Sequence, residues 1–231
     1  MLKAVIFDLD NTLYDFTETE NITLSYLYSY GTNLLDLDEG EFEKAYLWGR
    51  AKHKENLPNV AATHNRTLYF QYMLEHLGLN PFDYLESLVN YYSENFLHNV
   101  KLYDGALTLI DDLKRTGLKI GVLTDMTSLE QYRKIDILHF GHYIDAFVSS
   151  EEIGEEKPSP KMFERILAKL GTKASDTIML GDSLVRDIEG AEKAGIKAIW
   201  KAPSEEEGEK SARDYYLNYT DGKLRFYLGL A

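Results

Sequence analysis

Short apolar runs recur along the chain between longer stretches with helical spacing. The first run, Ala4-Val5-Ile6-Phe7, is followed at once by the polar cluster Asp8-Leu9-Asp10-Asn11-Thr12. An uninterrupted apolar run of this length predicts a parallel strand buried on both faces. Four further runs predict strands in the second half of the chain, at residues 120–123, 146–148, 178–180 and 198–200.

Amphipathic stretches separate these later strands. They predict helices at residues 106–115, 129–138, 160–170 and 185–194. Regular alternation of strand and helix is typical of an α/β fold with a parallel sheet and helices on both faces. The tail, residues 215–230, predicts an edge strand and a short helix, whereas the acidic run 204–210 predicts a solvated loop.

The segment between the first two strands has a different period. Four helical patterns follow one another there, and helix signals accompany them: Asp38-Glu39 before the second, Gly78 after the third and Pro81 at the start of the fourth. The sequence therefore predicts a core domain of residues 1–15 and 102–231 and an inserted helical-bundle domain of residues 16–101.

Composition narrows the classes of function. The 231 residues include 38 acidic and 25 basic side chains, for a net charge of −13, and no cysteine. A chain with this charge should repel nucleic acid and anionic membrane surfaces. The absence of cysteine excludes disulfides, thiolate catalysis and cysteine-ligated zinc. The first apolar run is too short for a signal sequence or a spanning helix, and we expect a cytoplasmic protein.

Polar residues collect where the predicted strands end. Because parallel strands end at one edge of a sheet, these residues should share one crevice. They are Asp8, Asp10, Thr124 and Asp182, with Asp187 one helical turn further on and Lys157 just before a helix. Clustered carboxylates repel one another and need a cation, and oxygen ligands without His or Cys suit Mg²⁺. A metal beside a lysine would attract phosphate.

These residues resemble, in order and spacing, the four motifs of the haloacid dehalogenase superfamily in its phosphatase branch. The motifs are Asp8-Leu9-Asp10-Asn11-Thr12, then Thr124, then Lys157, then Gly181-Asp182-Ser183-Leu184-Val185-Arg186-Asp187. The resemblance covers nearly the whole chain. It implies a Rossmann-like core, a C1-type helical cap and Mg²⁺-dependent hydrolysis of small phosphorylated metabolites.

The resemblance also implies a role for each matching residue. Asp8 would be the nucleophile that forms an aspartyl-phosphate, and Asp10 the general acid and base, with a raised pKa. Thr124 and Lys157 would bind the phosphoryl group, helped by backbone N–H groups of Asn11 and Asp125. The Asp8 and Asp182 carboxylates and the Asp10 carbonyl would hold Mg²⁺, and Asp187 would orient Lys157 or a metal-bound water.

Several alternatives remain open. The dehalogenase branch lacks the second aspartate, so Asp10 argues against it. A phosphomutase of the β-phosphoglucomutase type shares every core motif, and a non-catalytic binding protein on the same fold is a third possibility. Asp125 departs from the family pattern, which more often has Asn or a small polar residue there. An additional carboxylate could weaken anion binding, although orientation toward solvent is the simpler expectation. The expected assembly is a monomer or a small homo-oligomer.

Overall fold

The computed structural model describes residues 1–230 as two compact units. The core unit consists of Met1–Asp15 and the chain from Lys101 onward, and the helical unit is Phe16–Val100. The helices are α1 Phe16–Leu35, α2 Glu39–Asn56, α3 Arg66–His76, α4 Pro81–Asn99, α5 Ala106–Arg115, α6 Ser128–Ile137, α7 Ser150–Ile153, α8 Pro160–Leu170, α9 Gly190–Lys193, α10 Glu205–Lys210 and α11 Gly222–Tyr227.

The core unit contains a six-stranded, wholly parallel sheet in the order β3-β2-β1-β4-β5-β6. The strands are β1 Ala4–Phe7, β2 Lys119–Thr124, β3 Ala146–Ser149, β4 Thr177–Gly181, β5 Lys197–Lys201 and β6 Tyr215–Tyr216. The predicted α/β sheet is confirmed. The strand order reverses on either side of β1, and this is where open α/β sheets bind ligands.

Strand β1 is buried on both faces, as its apolar run predicted. Ala4 and Ile6 belong to a cluster with the α8 side chains Met162, Phe163 and Ile166. Val5 and Phe7 point to the opposite face and are also fully buried. Phe7 pairs with Val122 of β2 on one side and Leu180 of β4 on the other, so these three strands end side by side.

The helical unit shows the end signals that the sequence predicted. The Asp38 side chain accepts a hydrogen bond from the Glu41 backbone N–H at 2.8 Å, and the Glu41 carboxylate accepts one from the Asp38 N–H. This capping box starts α2. Asn80 caps α4, with Pro81 in the first turn, and Gly78 follows α3 with a positive φ of 70°.

Two segments differ from their predictions. The helix predicted at 185–194 is a π-helix, Leu184–Glu189, followed by the short α9. The acidic run predicted as a loop contains α10, because Ser204 caps its N-terminus and three glutamates occupy its first turn, where the helix dipole favours negative charge.

No helix within residues 1–230 is both long enough and apolar enough to cross a bilayer.

We expect Gly49→Ala to destabilise the helical unit. A Cβ at Gly49 of α2 would lie 2.5 Å from the Tyr69 carbonyl oxygen and 2.7 Å from the Met73 nitrogen, both on the α3 backbone. Backbone atoms cannot yield as a side chain can, so the expected loss is about 1–3 kcal/mol of unfolding free energy, measured by urea denaturation.

Gly40→Ala is the matched control, because Gly40 is an exposed residue of the same helix. A Cβ there would contact only the Asp38 carboxylate, at 3.3 Å. Alanine in a helix should leave stability unchanged or raise it by about 0.5–1 kcal/mol. Equal effects of the two substitutions would contradict close helix contact at Gly49.

Candidate active site

Three adjacent strands carry the first, second and fourth motifs to one sheet edge. Asp8 directly follows β1, Thr124 ends β2 and Asp182 directly follows β4. The Asp8 backbone N–H donates to the Leu180 carbonyl at 2.9 Å, which extends the strand ladder into the motif. The loops after β1 and β2 turn sharply through positive φ angles, 60° at Asn11 and 82° at Met126.

Lys157 lies at the centre of the site and is only 4% exposed. Its Nζ donates to Asp8 Oδ1 at 2.6 Å, to Asp187 Oδ1 at 2.7 Å and to the Leu123 carbonyl at 3.1 Å. All three ammonium hydrogens therefore have acceptors. The neighbouring carboxylates keep the Lys157 pKa above its usual value despite burial, so the ammonium stays charged.

The π-helix after β4 and the small Gly181 bring Asp187 to Lys157. A Cβ at Gly181 would lie 2.4 Å from the Asp187 Cβ, so the side chain can pack there only against glycine. The Asp187 Oδ2 accepts from the Ser183 backbone N–H at 2.9 Å while Oδ1 faces Lys157. Asp187 thus fixes the position of the ammonium group.

Asp8, Asp182 and Asp187 form a compact carboxylate cluster, with one oxygen from each lying within 4.8 Å of the others. The Thr12 hydroxyl links two of them, 2.9 Å from Asp8 Oδ2 and 3.2 Å from Asp182 Oδ1. This proximity meets the basic requirement for a shared cation. Thr12 belongs to the first motif, but the sequence did not reveal its bridging role.

The cluster holds more negative charge than Lys157 can neutralise. Burial raises the pKa of Asp8 to about 7, against the opposing effect of Lys157. Burial and the Asp8 charge raise the pKa of Asp182 to about 6. A cation beside these oxygens would keep both carboxylates ionised. Hard oxygen donors in this arrangement suit Mg²⁺, so the residues fit that ion.

Asp10 contacts a different set of residues. Its Oδ1 accepts from Lys134 Nζ at 2.8 Å and from the Tyr14 hydroxyl, and its Oδ2 accepts from Gln131 Nε2 at 3.0 Å. Burial acts to raise its pKa, but the Lys134 charge and these hydrogen bonds outweigh burial and lower it. The expectation of a raised pKa at Asp10 is therefore wrong, because the Lys134 ammonium favours the ionised carboxylate. No pattern in the sequence indicated that Lys134 contacts Asp10.

Asp125 does not point into solvent, contrary to the simpler expectation. It is 7% exposed, and its Oδ1 accepts from the Lys157 backbone N–H at 2.9 Å. Its Oδ2 lies 3.6 Å from the Arg186 guanidinium. The additional carboxylate thus holds the loop that presents Lys157. Thr124 is buried as well and accepts from Gln131 Nε2 at 2.7 Å.

Four further residues that the sequence did not indicate form hydrogen bonds to site residues. The Tyr219 hydroxyl donates to the Thr12 carbonyl at 2.6 Å, and Trp200 Nε1 donates to the Asp182 carbonyl at 2.7 Å. Gln131 and Lys134 both reach Asp10 from α6. Gln131 and Lys134 are three residues apart on a helix that follows the second motif, so they lie on one face of it. That spacing is the sequence feature that could have indicated a role for both residues at the site. No pattern in the sequence around Tyr219 indicates a contact with the first motif.

The fold and this site define a haloacid dehalogenase-like hydrolase. The model of that family matches residues 2–195, so the chain belongs to the haloacid dehalogenase-like hydrolase family.

Two named relatives resemble most of the chain. It is 35% identical over 217 residues to a ribulose-1,5-bisphosphate 5-phosphatase of Halopiger xanaduensis, covering 93% of this chain and 90% of the relative. It is 30% identical over 205 residues to a glyceraldehyde 3-phosphate phosphatase of Methanopyrus kandleri, covering 86% and 83%. The crystal structure of a HAD phosphatase from Thermococcus onnurineus shares the fold, with a TM-score of 0.73, 22% identity and 99% and 98% coverage.

We expect Asp182→Asn to stabilise the metal-free protein at high pH. The folded pKa of Asp182 is about 6 against 3.8 for the free group. A raised folded pKa means that the stability from this carboxyl is full below the unfolded pKa and is lost as pH rises through the folded one. Because the amide has no charge to bury at any pH, the free energy of unfolding of Asp182→Asn should exceed that of the wild type by about 1–3 kcal/mol above pH 6.

Urea denaturation in EDTA at about pH 5 and about pH 8 measures this difference. The stabilisation by Asp182→Asn should be greater at the higher pH. Asp136→Asn, which removes an exposed carboxylate from α6, controls for the change in net charge. An Asp182→Asn protein that is less stable than the wild type at high pH would contradict the excess of buried negative charge.

Proposed function

We propose that the protein is a Mg²⁺-dependent phosphatase of small phosphorylated metabolites that acts through an aspartyl-phosphate on Asp8. The observation that carries this proposal is the position of Lys157 between Asp8 and Asp187, beside three carboxylates that each place one oxygen within 4.8 Å of the others. An acidic chain can bind phosphate only where positive charge is concentrated, and these residues supply or attract it.

The Asp8 and Asp182 carboxylates and the Asp10 backbone carbonyl would hold the ion. When bound, Mg²⁺ would neutralise charge on the carboxylates and on the phosphoryl oxygens. The Thr12 hydroxyl contacts both Asp8 and Asp182 and helps to hold these two carboxylates close together. Asp187 would act as a supporting residue that holds Lys157 in place.

In the first step, an Asp8 carboxylate oxygen attacks phosphorus as the ester P–O bond breaks. Asp10, once protonated, gives that proton to the leaving oxygen; Lys134 and the other hydrogen-bond donors around it favour the ionised form of Asp10, which is the form that acts as base in the second step. In the second step, water attacks the aspartyl-phosphate and gives a proton to Asp10, which releases phosphate and restores Asp8. Lys157 stabilises the transferring group by charge, and Thr124 with the backbone N–H groups of Asn11 and Asp125 positions it.

We assign catalysis to residues 1–15 and 102–231 and substrate selection to residues 16–101, which would act as a C1-type cap. The relatives in Halopiger xanaduensis and Methanopyrus kandleri are named for phosphorylated sugars. We propose sugar phosphates as the substrate class for this chain, with no role for nucleic acid or membrane and with function in the cytoplasm.

Asp8→Asn should lower kcat for p-nitrophenyl phosphate by about 1,000-fold or more, because an amide cannot serve as the nucleophile. The change is nearly isosteric, so the far-UV circular dichroism spectrum should stay that of the wild type. Asp136→Asn, on the exposed face of α6, should keep full activity. Substantial turnover by Asp8→Asn would contradict the covalent mechanism.

Chelation should abolish activity reversibly, because Asp8 and Asp182 repel phosphate without a cation. A panel of sugar phosphates, nucleotides and pyrophosphate, assayed for released phosphate with Mg²⁺ or EDTA, tests both the metal and the substrate class. Sugar phosphates should be the best substrates, with one phosphate released per molecule consumed. A rate independent of metal would contradict the proposal, and isomerisation without phosphate release would indicate a phosphomutase instead.

A further inference from the structure

We propose that Lys134 and Gln131 of α6 are positioning residues for Asp10, and that they set the direction in which its carboxyl exchanges a proton with the substrate. This inference rests on the proposed phosphatase function. It adds two residues outside the four sequence motifs and gives α6 a part in proton transfer.

Lys134 is a buried cation whose ion pair is with the Asp10 carboxylate. Its side chain is 4% exposed, and its Nζ lies 2.8 Å from Asp10 Oδ1. The same ammonium is 3.5 Å from the Met126 sulfur and lies over the Tyr14 ring at 5.7 Å. Buried ion pairs contribute little net stability, because desolvation offsets their attraction. A role in orienting Asp10 gives a reason for this pair that stability alone does not.

Gln131 connects Asp10 to the phosphate-binding motif. Its Nε2 lies 3.0 Å from Asp10 Oδ2, 2.7 Å from Thr124 Oγ1 and 2.9 Å from the Asp125 carbonyl oxygen. The amide oxygen, Oε1, is buried without a hydrogen-bond partner. Reversing the amide would place that oxygen against the Asp10 carboxylate. The observed orientation thus leaves one acceptor unsatisfied and ties the two motifs together.

Both oxygens of Asp10 are therefore fixed from the same helix. Lys134 and Tyr14 hold Oδ1, and Gln131 holds Oδ2. A carboxyl free to rotate would face the reacting oxygen, of the leaving group or of the attacking water, only part of the time. Small errors in the placement of a catalytic group lower the rate strongly without weakening substrate binding. Loss of Lys134 should then lower kcat much more than it raises KM.

The identity of the leaving group separates this role from a structural one. A sugar alkoxide needs a proton from Asp10 in order to leave, whereas p-nitrophenolate leaves without one. Hydrolysis of the aspartyl-phosphate needs Asp10 as a base for either substrate. A protein with a misdirected Asp10 should still be phosphorylated by p-nitrophenyl phosphate and should then accumulate the intermediate.

The test compares Lys134→Met with Lys134→Arg and with Lys114→Met in rapid-mixing and steady-state assays. For the best sugar phosphate, Lys134→Met should lower kcat by about 100-fold or more, with KM changed less than about threefold. With p-nitrophenyl phosphate it should release a burst of one p-nitrophenolate per chain before slow turnover. Lys134→Arg retains the charge and should restore most of the activity.

Lys114→Met is the matched control, because Lys114 pairs with Asp145 at 2.7 Å near the start of β2, away from the strand ends that carry the site. It should keep wild-type kcat and show no burst. A crystal structure of Lys134→Met should show the Asp10 carboxyl turned from its wild-type orientation with Asp8 in place. An unmoved Asp10, or equal loss of rate for both substrates without a burst, would overturn the proposal.

Tyr14→Phe decides the question if Lys134→Met does not fold. It removes one hydroxyl from Asp10 and keeps the buried ring, so it should give the same pattern with a smaller loss. Wild-type kinetics in Tyr14→Phe would then count against the proposal. If the wild type hydrolyses no phosphate ester, the proposed function fails and this inference fails with it. An active wild type with a Lys134→Met protein like the control overturns the positioning role alone.

Discussion

A single buried ammonium group holds the active-site architecture together. Lys157 Nζ donates to Asp8 and Asp187 at 2.6 and 2.7 Å, while Asp182 completes a cluster with more negative than positive charge. Burial, with the nearby negative charges, raises the pKa of Asp8 to about 7 against the opposing effect of Lys157, and the charge imbalance makes the site attractive to a divalent cation. The cation and the lysine together can hold a phosphoryl group that the acidic chain would otherwise repel. The same imbalance links the stability of the fold to pH and to metal.

Parts of the chain distant in sequence maintain this arrangement. Strands β1, β2 and β4 are adjacent, so their ends bring the first, second and fourth motifs together at one edge of the sheet. Gly181 leaves room for Asp187, and Asp125 holds the backbone of Lys157. Tyr219, near the end of the chain, supports the carbonyl of Thr12. The family match ends at residue 195, so this chain supports its first motif with a residue outside the matched region.

Most of the fold could be predicted from the sequence, because buried positions are apolar and recur with the spacing of the strand or helix that contains them. The apolar run of β1 and the capping signals at Asp38 and Pro81 each appear where expected. The π-helix from Leu184 was missed because its apolar spacing is close to that of an α-helix, and the close approach of Asp187 to Gly181 that accompanies it is a tertiary contact. The lowered pKa of Asp10 was missed for a similar reason. It depends on a lysine more than a hundred residues away, and no local pattern encodes that contact.

The central claim is that Asp8 and Asp182 share one divalent cation beside Lys157. The most direct measurement is an electron paramagnetic resonance titration of metal-free protein with Mn²⁺, which binds the same oxygen ligands as Mg²⁺. The account predicts one site per chain, competed by Mg²⁺ and lost in Asp182→Asn. No bound Mn²⁺ in the wild type, or binding that Asp182→Asn leaves unchanged, would contradict it.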